Sequence, residues 1–348
     1  MSEAAAGVGA AEAGGTAAEV GAASEAREWT LSGALNQALR DALAQDTRLL
    51  VFGEDVGRSG GVFRVTDGLQ TEFGADRVFD TPISEAGIAG AAVGLAFAGW
   101  RSVIEFQFDA FSYPALEQVI DHVAKMRERV RGRVDMPITI RIPSFGGIRG
   151  KEHHGESPET YYVHTAGLKV VVPSSALDGY TLLRHAIADP DPVIVLEPKA
   201  RYWSKETGVL GDGPGIGVGR VLRAGNDAAI VTYGAMVATC LEAAESLEGD
   251  GIQVRVVDLR SLSPLDDALL TKCAVETGRV VVVHEAPRTL GMAAEVAARI
   301  MESAFDHLEA PVGRVTGYDV PYPPASLEAD YRPSVERIRA AVLKAVHY

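Results

Sequence analysis

Two spacings of apolar residues divide most of this 348-residue chain. Helical spacing runs through Leu31, Ala34, Leu35, Ala38, Leu39, Ala42 and Leu43, with Thr30 or Ser32 as the cap. The short apolar run Leu49–Phe52 then reads as a buried strand ending at Gly53-Glu54-Asp55. Runs at 102–106, 137–142, 168–172 and 193–196 read as further strands, with helical patterns at 114–130 and 176–188 between them. This alternation predicts a mostly parallel sheet with helices on both faces. The glycine-rich stretch 205–219 interrupts it. A second α/β pattern follows, with strands at 228–233, 252–258 and 279–284 and helices at 235–247, 266–276 and 291–303. Pro321-Tyr-Pro-Pro324 breaks the chain before a last helix at 334–345. The expected organisation is a low-complexity tail over 1–27, an α/β domain over 28–204, a linker over 205–225 and a second α/β domain over 226–348.

Composition narrows the partners. A formal charge of −14 argues against nucleic acid and against an anionic membrane surface, although Glu3, Glu12, Glu19 and Glu25 of the tail supply part of it. The longest apolar stretch, 86–100, is shorter than the roughly 20 residues that span a bilayer, and Glu85 and Arg101 bracket it. The two cysteines, Cys240 and Cys273, form no disulfide framework. The first 25 residues lack the basic head and apolar core of a secretory signal. A cytoplasmic setting is the expectation.

The candidate chemistry concentrates in Asp80–Gly99. Glu85 heads a segment of Gly, Ala and aliphatic residues, with Thr81 and Pro82 as helix-start residues. Glycines at 87, 90, 94 and 99 would each cost roughly 1 kcal/mol in an isolated helix, so another backbone or a ligand is expected to approach closely. Glu85 is accordingly expected to be buried. Its plain alternative is a first-turn acid that complements the helix dipole. In open parallel sheets ligands collect beyond the carboxyl ends of the strands, and Glu54, Glu85 and the loop 143–158 each follow such an end. That loop holds His153 and His154 among glycines. Their spacing fits no zinc pattern, whereas close backbone approach followed by an imidazole fits an anion pocket, to which Arg149 and Lys151 add positive potential. Gly211-Asp-Gly213 follows no strand, and Gly213–Gly219 does not read as G-x-G-x-x-G, so a nicotinamide site is unsupported.

The words GEDVG (53–57), DTPISEAGIAG (80–90), IEFQF (104–108), GGIRGKEHHGESPE (146–159), GLKVVVPS (167–174), DPDPVIVLEPK (189–199) and DLRSLSPLD (258–266) occur in this order. Together they resemble the β subunit of the thiamine-diphosphate-dependent first component of 2-oxo acid dehydrogenase complexes, over residues 28–348. EFQF, GGIRG, HGESPE and LEPK look most like the branched-chain 2-oxo acid enzymes, with the pyruvate and acetoin enzymes as the near alternatives. The resemblance implies two doubly wound α/β domains, a thiamine-pyrimidine-binding domain and a transketolase-C-terminal-like domain. It assigns Glu85 to a pyrimidine ring nitrogen of thiamine diphosphate, where a carboxyl hydrogen bond makes the cofactor's own amine basic. It places Phe111 beside that ring, lets Ile83 and Gln107 line the pocket, and puts Glu54 in a polar network nearby. His154 would act on the substrate carboxylate and on acyl transfer to a lipoyl group. The diphosphate and magnesium would be held by an α subunit in an α2β2 heterotetramer. The second domain would dock a lipoyl acyltransferase core. A potassium ion would take carbonyl oxygens around Ile138, Ala186, Asp189 and Asp191. A non-catalytic scaffold subunit is the alternative from another class.

Overall fold

In the computed structural model, which describes residues 25–348, the short apolar runs become the strands of two main sheets. The expected tail lies outside the described residues as far as residue 24. The first part of the chain supplies β1 (Arg27–Thr30), β2 (Leu49–Gly53), β3 (Val78–Asp80), β4 (Arg101–Glu105), β5 (Ile138–Ser144), β6 (Lys169–Val171), β7 (Val193–Pro198) and β8 (Lys205–Gly208). The second supplies β9 (Arg220–Arg223), β10 (Ala228–Thr232), β11 (Val254–Asp258), β12 (Ser261–Ser263), β13 (Val280–Val283) and β14 (Gly313–Val315).

The larger sheet runs β12-β6-β7-β5-β4-β2-β3 and is parallel except at β12. The smaller runs β14-β13-β10-β11-β9 and is parallel except at β9. β2 lies between β3 and β4, so the chain leaves it in one direction and returns on its other side. The carboxyl ends of β2 and β4 therefore flank a switch point, where an open sheet leaves a crevice. β1 and β8 form a separate antiparallel ribbon, with Arg27 opposite Gly208. The start of the described chain thus pairs with the beginning of the expected linker. β12 comes from the second part of the chain but caps the edge of the first sheet, Ser261 opposite Val171.

The core crosses the same divide. One cluster joins Ile88, Phe106, Ile140 and Leu196 of the first sheet layer to Val231, Val257 and Val282 of the second. The helix Leu31–Gln45 lays Leu35, Leu39 and Leu43 on the other face of the large sheet, beside Leu182 and Leu183 of the helix Ala176–Ala188. Thr30 Oγ1 caps the first of these helices, accepting from the Gly33 N–H at 3.0 Å.

Two local expectations change. The helix heading for Glu85 starts at Glu85 itself, with Ser84 at its N-cap, rather than at Thr81-Pro82. The Thr81 N–H donates to the Gly53 carbonyl at 2.9 Å, which extends the β2–β3 ladder and holds this segment out of the helix. The expected helix 114–130 is instead a 3₁₀ segment Ala110–Ala115 containing Pro114, a helical turn Leu116–Gln118, a π-turn Val119–Val123 and a turn Met126–Arg129. Close packing accompanies this irregularity, since a Cβ on Gly167 would sit 2.1 Å from the Ala124 carbonyl oxygen.

Arg141 on β5 ties the three central strands together. Its Nε and Nη2 donate to Glu197 of β7 at 2.7 and 2.8 Å, and its Nη1 donates to Glu105 of β4. Tyr202 Oη donates to the same Glu197 at 2.6 Å. All three charged side chains are buried, and burial pushes the Glu105 carboxyl up against the opposing pull of Arg141. Removing the guanidinium would strand two carboxylates in the core. Arg141→Met is expected to lower unfolding free energy by about 3–5 kcal/mol, read from urea denaturation curves.

Candidate active site

The crevice at the switch point is built from four strand ends. Glu54 follows β2 directly and is 7% exposed. Its Oε1 is buried without a hydrogen-bond partner. Burial pushes its carboxyl up from the ordinary value, the Glu85 and Asp55 charges push it further, and the Ser84 backbone N–H opposes them. The Glu85 charge therefore acts on Glu54 across the crevice. Asp80, at the end of β3, accepts from the Gly57 N–H at 2.7 Å and orders the loop carrying Glu54. Gln107, two residues beyond β4, donates to Asp55 Oδ2 at 2.7 Å and closes the crevice floor across the β2–β4 gap.

The loop after β5 brings His154 to the same edge. Its ring meets Phe108 at 4.2 Å and Phe111 at 5.2 Å between centroids, both edge-on. His154 Nδ1 lies 2.7 Å from the Glu152 carbonyl, which can only accept. Nδ1 therefore carries the hydrogen, and in the neutral ring Nε2 is the free acceptor. Beneath Phe108, Lys199 donates to Asp109 in an ion pair that is wholly buried. Burial pushes the Asp109 carboxyl up and the Lys199 ammonium down, each against the pull of its partner. Asp109 also accepts from the backbone of Ala110 and Glu156, so the pair anchors both the Phe108–Phe111 segment and the end of the His154 loop. Glu156 itself is pushed up by burial and by the Asp109 charge.

The structure thus joins Glu54 with Glu85, Gln107 with Asp55, and Phe111 with His154. Two features differ from expectation. Glu85 is half-buried rather than buried, and Ile83 beside it is 85% exposed. Along the helix Glu85–Phe97, residues Gly87, Ala91, Gly94 and Ala98 form an exposed stripe, and a Cβ on Gly94 would touch nothing. Among the described residues, Ser84 approaches Gly87 and Gln118 approaches Gly90, whereas nothing comes close to Gly94 or Gly99.

Ile138, Ala186, Asp189 and Asp191 sit apart from the crevice. Ile138 opens β5, so it lies about 20 Å from that strand's carboxyl end at 3.3 Å per residue. Lys169 Nζ donates to Asp189 at 2.7 and 2.8 Å and lies 3.3 Å from Asp191, which also receives Arg127. The Arg101 guanidinium donates to the Ile187 carbonyl and, at 3.0 Å, to that of Asp189. The Ala186 carbonyl accepts from the Asp189 N–H at 3.3 Å. Cationic or N–H partners from the chain thus reach the Asp189 and Asp191 carboxylates and the Ala186 and Asp189 carbonyls. Gly211-Asp-Gly213 lies on the helix Ala176–Ala188, where Thr181 Oγ1 donates to Gly211 at 3.2 Å. Among the described residues no three His, Cys, Asp or Glu side chains are arranged to hold a metal.

Sequence reasoning did not single out Phe108, Asp109 or Lys199 for a role, because the contacts that define them join residues up to 90 positions apart. It also left Glu159 unassigned. Glu159 is wholly buried between the domains, and Tyr233 Oη donates to it at 2.7 Å.

The chain thus carries a parallel-sheet crevice with two carboxylates and an imidazole, built on two coupled α/β units. The chain matches the pyrimidine-binding domain of transketolase over residues 27–204 and the transketolase C-terminal domain over 217–338. It is 56% identical over 313 residues to the 3-methyl-2-oxobutanoate dehydrogenase subunit beta of Mycobacterium tuberculosis, covering 89% of each chain. It is 50% identical to the pyruvate dehydrogenase E1 component subunit beta of Leifsonia xyli, covering 90% of this chain and 94% of that one. Among solved structures, a split-gene transketolase described as an inactive beta4 tetramer superposes with a TM-score of 0.77 at 26% identity, over 91% of this chain and 98% of that one. The chain belongs to the family of β subunits of thiamine-diphosphate-dependent 2-oxo acid dehydrogenases.

Glu159 gives the domain contact a pH signature. Burial raises its carboxyl from 4.5 to about 7. The folded chain then keeps this proton longer than the unfolded chain, so the group's contribution to stability falls as pH rises from 4.5 to about 7. Glu159→Gln keeps an acceptor for Tyr233 and removes the titration. The variant is expected to gain on the parent across that window, by up to about 1.4 kcal/mol per pH unit, in paired unfolding curves at several pH values.

Proposed function

We propose that this chain is the β subunit of a branched-chain 2-oxo acid dehydrogenase and supplies the pyrimidine half of a thiamine diphosphate site. The observation that carries the reading is a half-built site beside an uncovered face. Glu54 and Glu85 share the crevice while Ile83 and the stripe Gly87, Ala91, Gly94 and Ala98 face solvent. A second chain packed on that stripe would bury Glu85 and close the pocket. Such a chain, the α subunit, would hold the diphosphate and its magnesium, in an α2β2 assembly. The orphaned Glu54 Oε1 supports the fit, because a buried polar atom of this kind awaits a partner.

Thiamine diphosphate, when bound, supplies a nucleophilic thiazolium carbon that adds to a 2-oxo acid and releases carbon dioxide. Glu85 would hydrogen-bond the pyrimidine ring nitrogen from the first turn of its helix, with Glu54 beside it. Gln107 and Phe111 would shape the pocket wall, and Ile83, now exposed, would line it. His154 presents Nε2 to the substrate carboxylate and to the acyl transfer to a lipoyl acyltransferase. Among substrates, 3-methyl-2-oxobutanoate is favoured by the mycobacterial relative's higher identity, with pyruvate as second.

Co-expression with the α partner tests this. The complex is expected to turn over 3-methyl-2-oxobutanoate in preference to pyruvate, and the β chain alone neither. In the complex, Glu85→Gln is expected to lower kcat by ~10²–10⁴, the range for a lost acid–base group. Near-parental turnover in that variant would assign the chain to a scaffold role.

A further inference from the structure

We propose that Glu328 of the second domain is a positioning residue for His154, holding the backbone of the His154 loop by its amide hydrogens. The proposal rests on the reading of His154 given above. Glu328 Oε1 accepts from the Gly147 N–H at 2.7 Å and Oε2 from the Arg149 N–H at 3.0 Å. Glu285 Oε2 takes the Gly146 N–H at 3.1 Å. Three N–H groups within four residues thus converge on two carboxylates from the other domain. Both are buried, Glu328 at 6% and Glu285 at 4% exposed. Glu285 is matched by Arg332 through bonds of 2.9 and 3.0 Å, and Glu328 also receives Tyr322 Oη at 2.6 Å.

The loop backbone is shaped for this. Phe145, Gly147 and Arg149 have φ of +70°, +95° and +55°, and two of the three are not glycine. Such conformations cost roughly 1–2 kcal/mol per residue in L side chains and turn successive N–H groups toward a common anion. Here the anions are the protein's own carboxylates. Tyr322 lies so close that a Cβ on Gly146 would come within 1.8 Å of its hydroxyl, and one on Gly155 within 2.3 Å of its ring. The loop closes on itself, since the Phe145 N–H donates to the Glu156 carbonyl at 3.0 Å. His154 lies inside this closed segment, with its ring on Phe108. Its place in the crevice is therefore set from two sides, by the aromatic floor of the first domain and by the carboxylate clamp of the second.

The test uses the αβ complex with Glu328→Gln, Tyr322→Phe and His154→Ala. Glutamine retains one acceptor but turns its NH₂ group against the Arg149 or Gly147 N–H. In Glu328→Gln, amide exchange across 145–156 is expected to rise at least about tenfold while the rest of the first domain is unchanged. Reductive acylation of a lipoyl domain is expected to fall at least about tenfold, with thiamine diphosphate affinity held within about twofold. Tyr322→Phe, which removes only one hydroxyl, should show the same pattern at smaller amplitude and serves if the first variant does not assemble. Parental exchange in the variant that assembles overturns the proposal. So does a loss in which cofactor affinity, acylation and thermal stability fall together, as a merely structural role would give. If His154→Ala leaves acylation intact, the assignment of His154 fails, and the exchange measurement still decides whether the clamp exists.

Discussion

A single buried guanidinium organises the region from which the His154 side of the crevice springs. Arg141, midway along β5, joins that strand to the carboxyl ends of β4 through Glu105 and of β7 through Glu197. The segments leaving these strands carry Gln107, Phe108 and Asp109, then the His154 loop, then Lys199. With one positive and two negative groups in a dry core, each bond is strong because the alternative is an uncompensated charge. That constraint lets irregular loops begin from fixed points, and a second buried pair, Asp109 with Lys199, repeats the device one layer nearer the crevice.

The crevice is a joint product of both domains. One apolar cluster runs from Ile88 to Val282, β12 crosses to the first sheet, and Glu285 and Glu328 reach the His154 loop. The opposite side of the crevice is open. There the helix behind Glu85 shows glycine and alanine to solvent, the face on which the proposed second chain would pack.

The periodic segments were legible in the chain. The helix Ala176–Ala188 follows the apolar spacing to the residue, and β2, β4, β5, β6, β7, β10, β11 and β13 follow their runs within about two residues, because burial on a regular element imposes its period on the sequence. The edge strands β3, β9, β12 and β14 had no such run. The helix start near Thr81 was misread because a strand ladder claimed the N–H that a helix would have left free. The segment 114–130 was misread because its apolar residues keep helical spacing through a proline and a π-turn. Arg101 reaches the Asp189 carbonyl from 88 positions away, and no local pattern announces such a contact.

The sequence alone therefore determined most element types and strand ends, and it singled out Glu54, Glu85 and His154 as candidates, since these depend on neighbours within a few positions. Tertiary structure alone decided which of those ends meet. It paired Glu54 with Glu85, set His154 on Phe108 and brought Glu328 to the glycine loop, because contacts across more than 30 residues depend on sheet order and on the closure of two domains over one core.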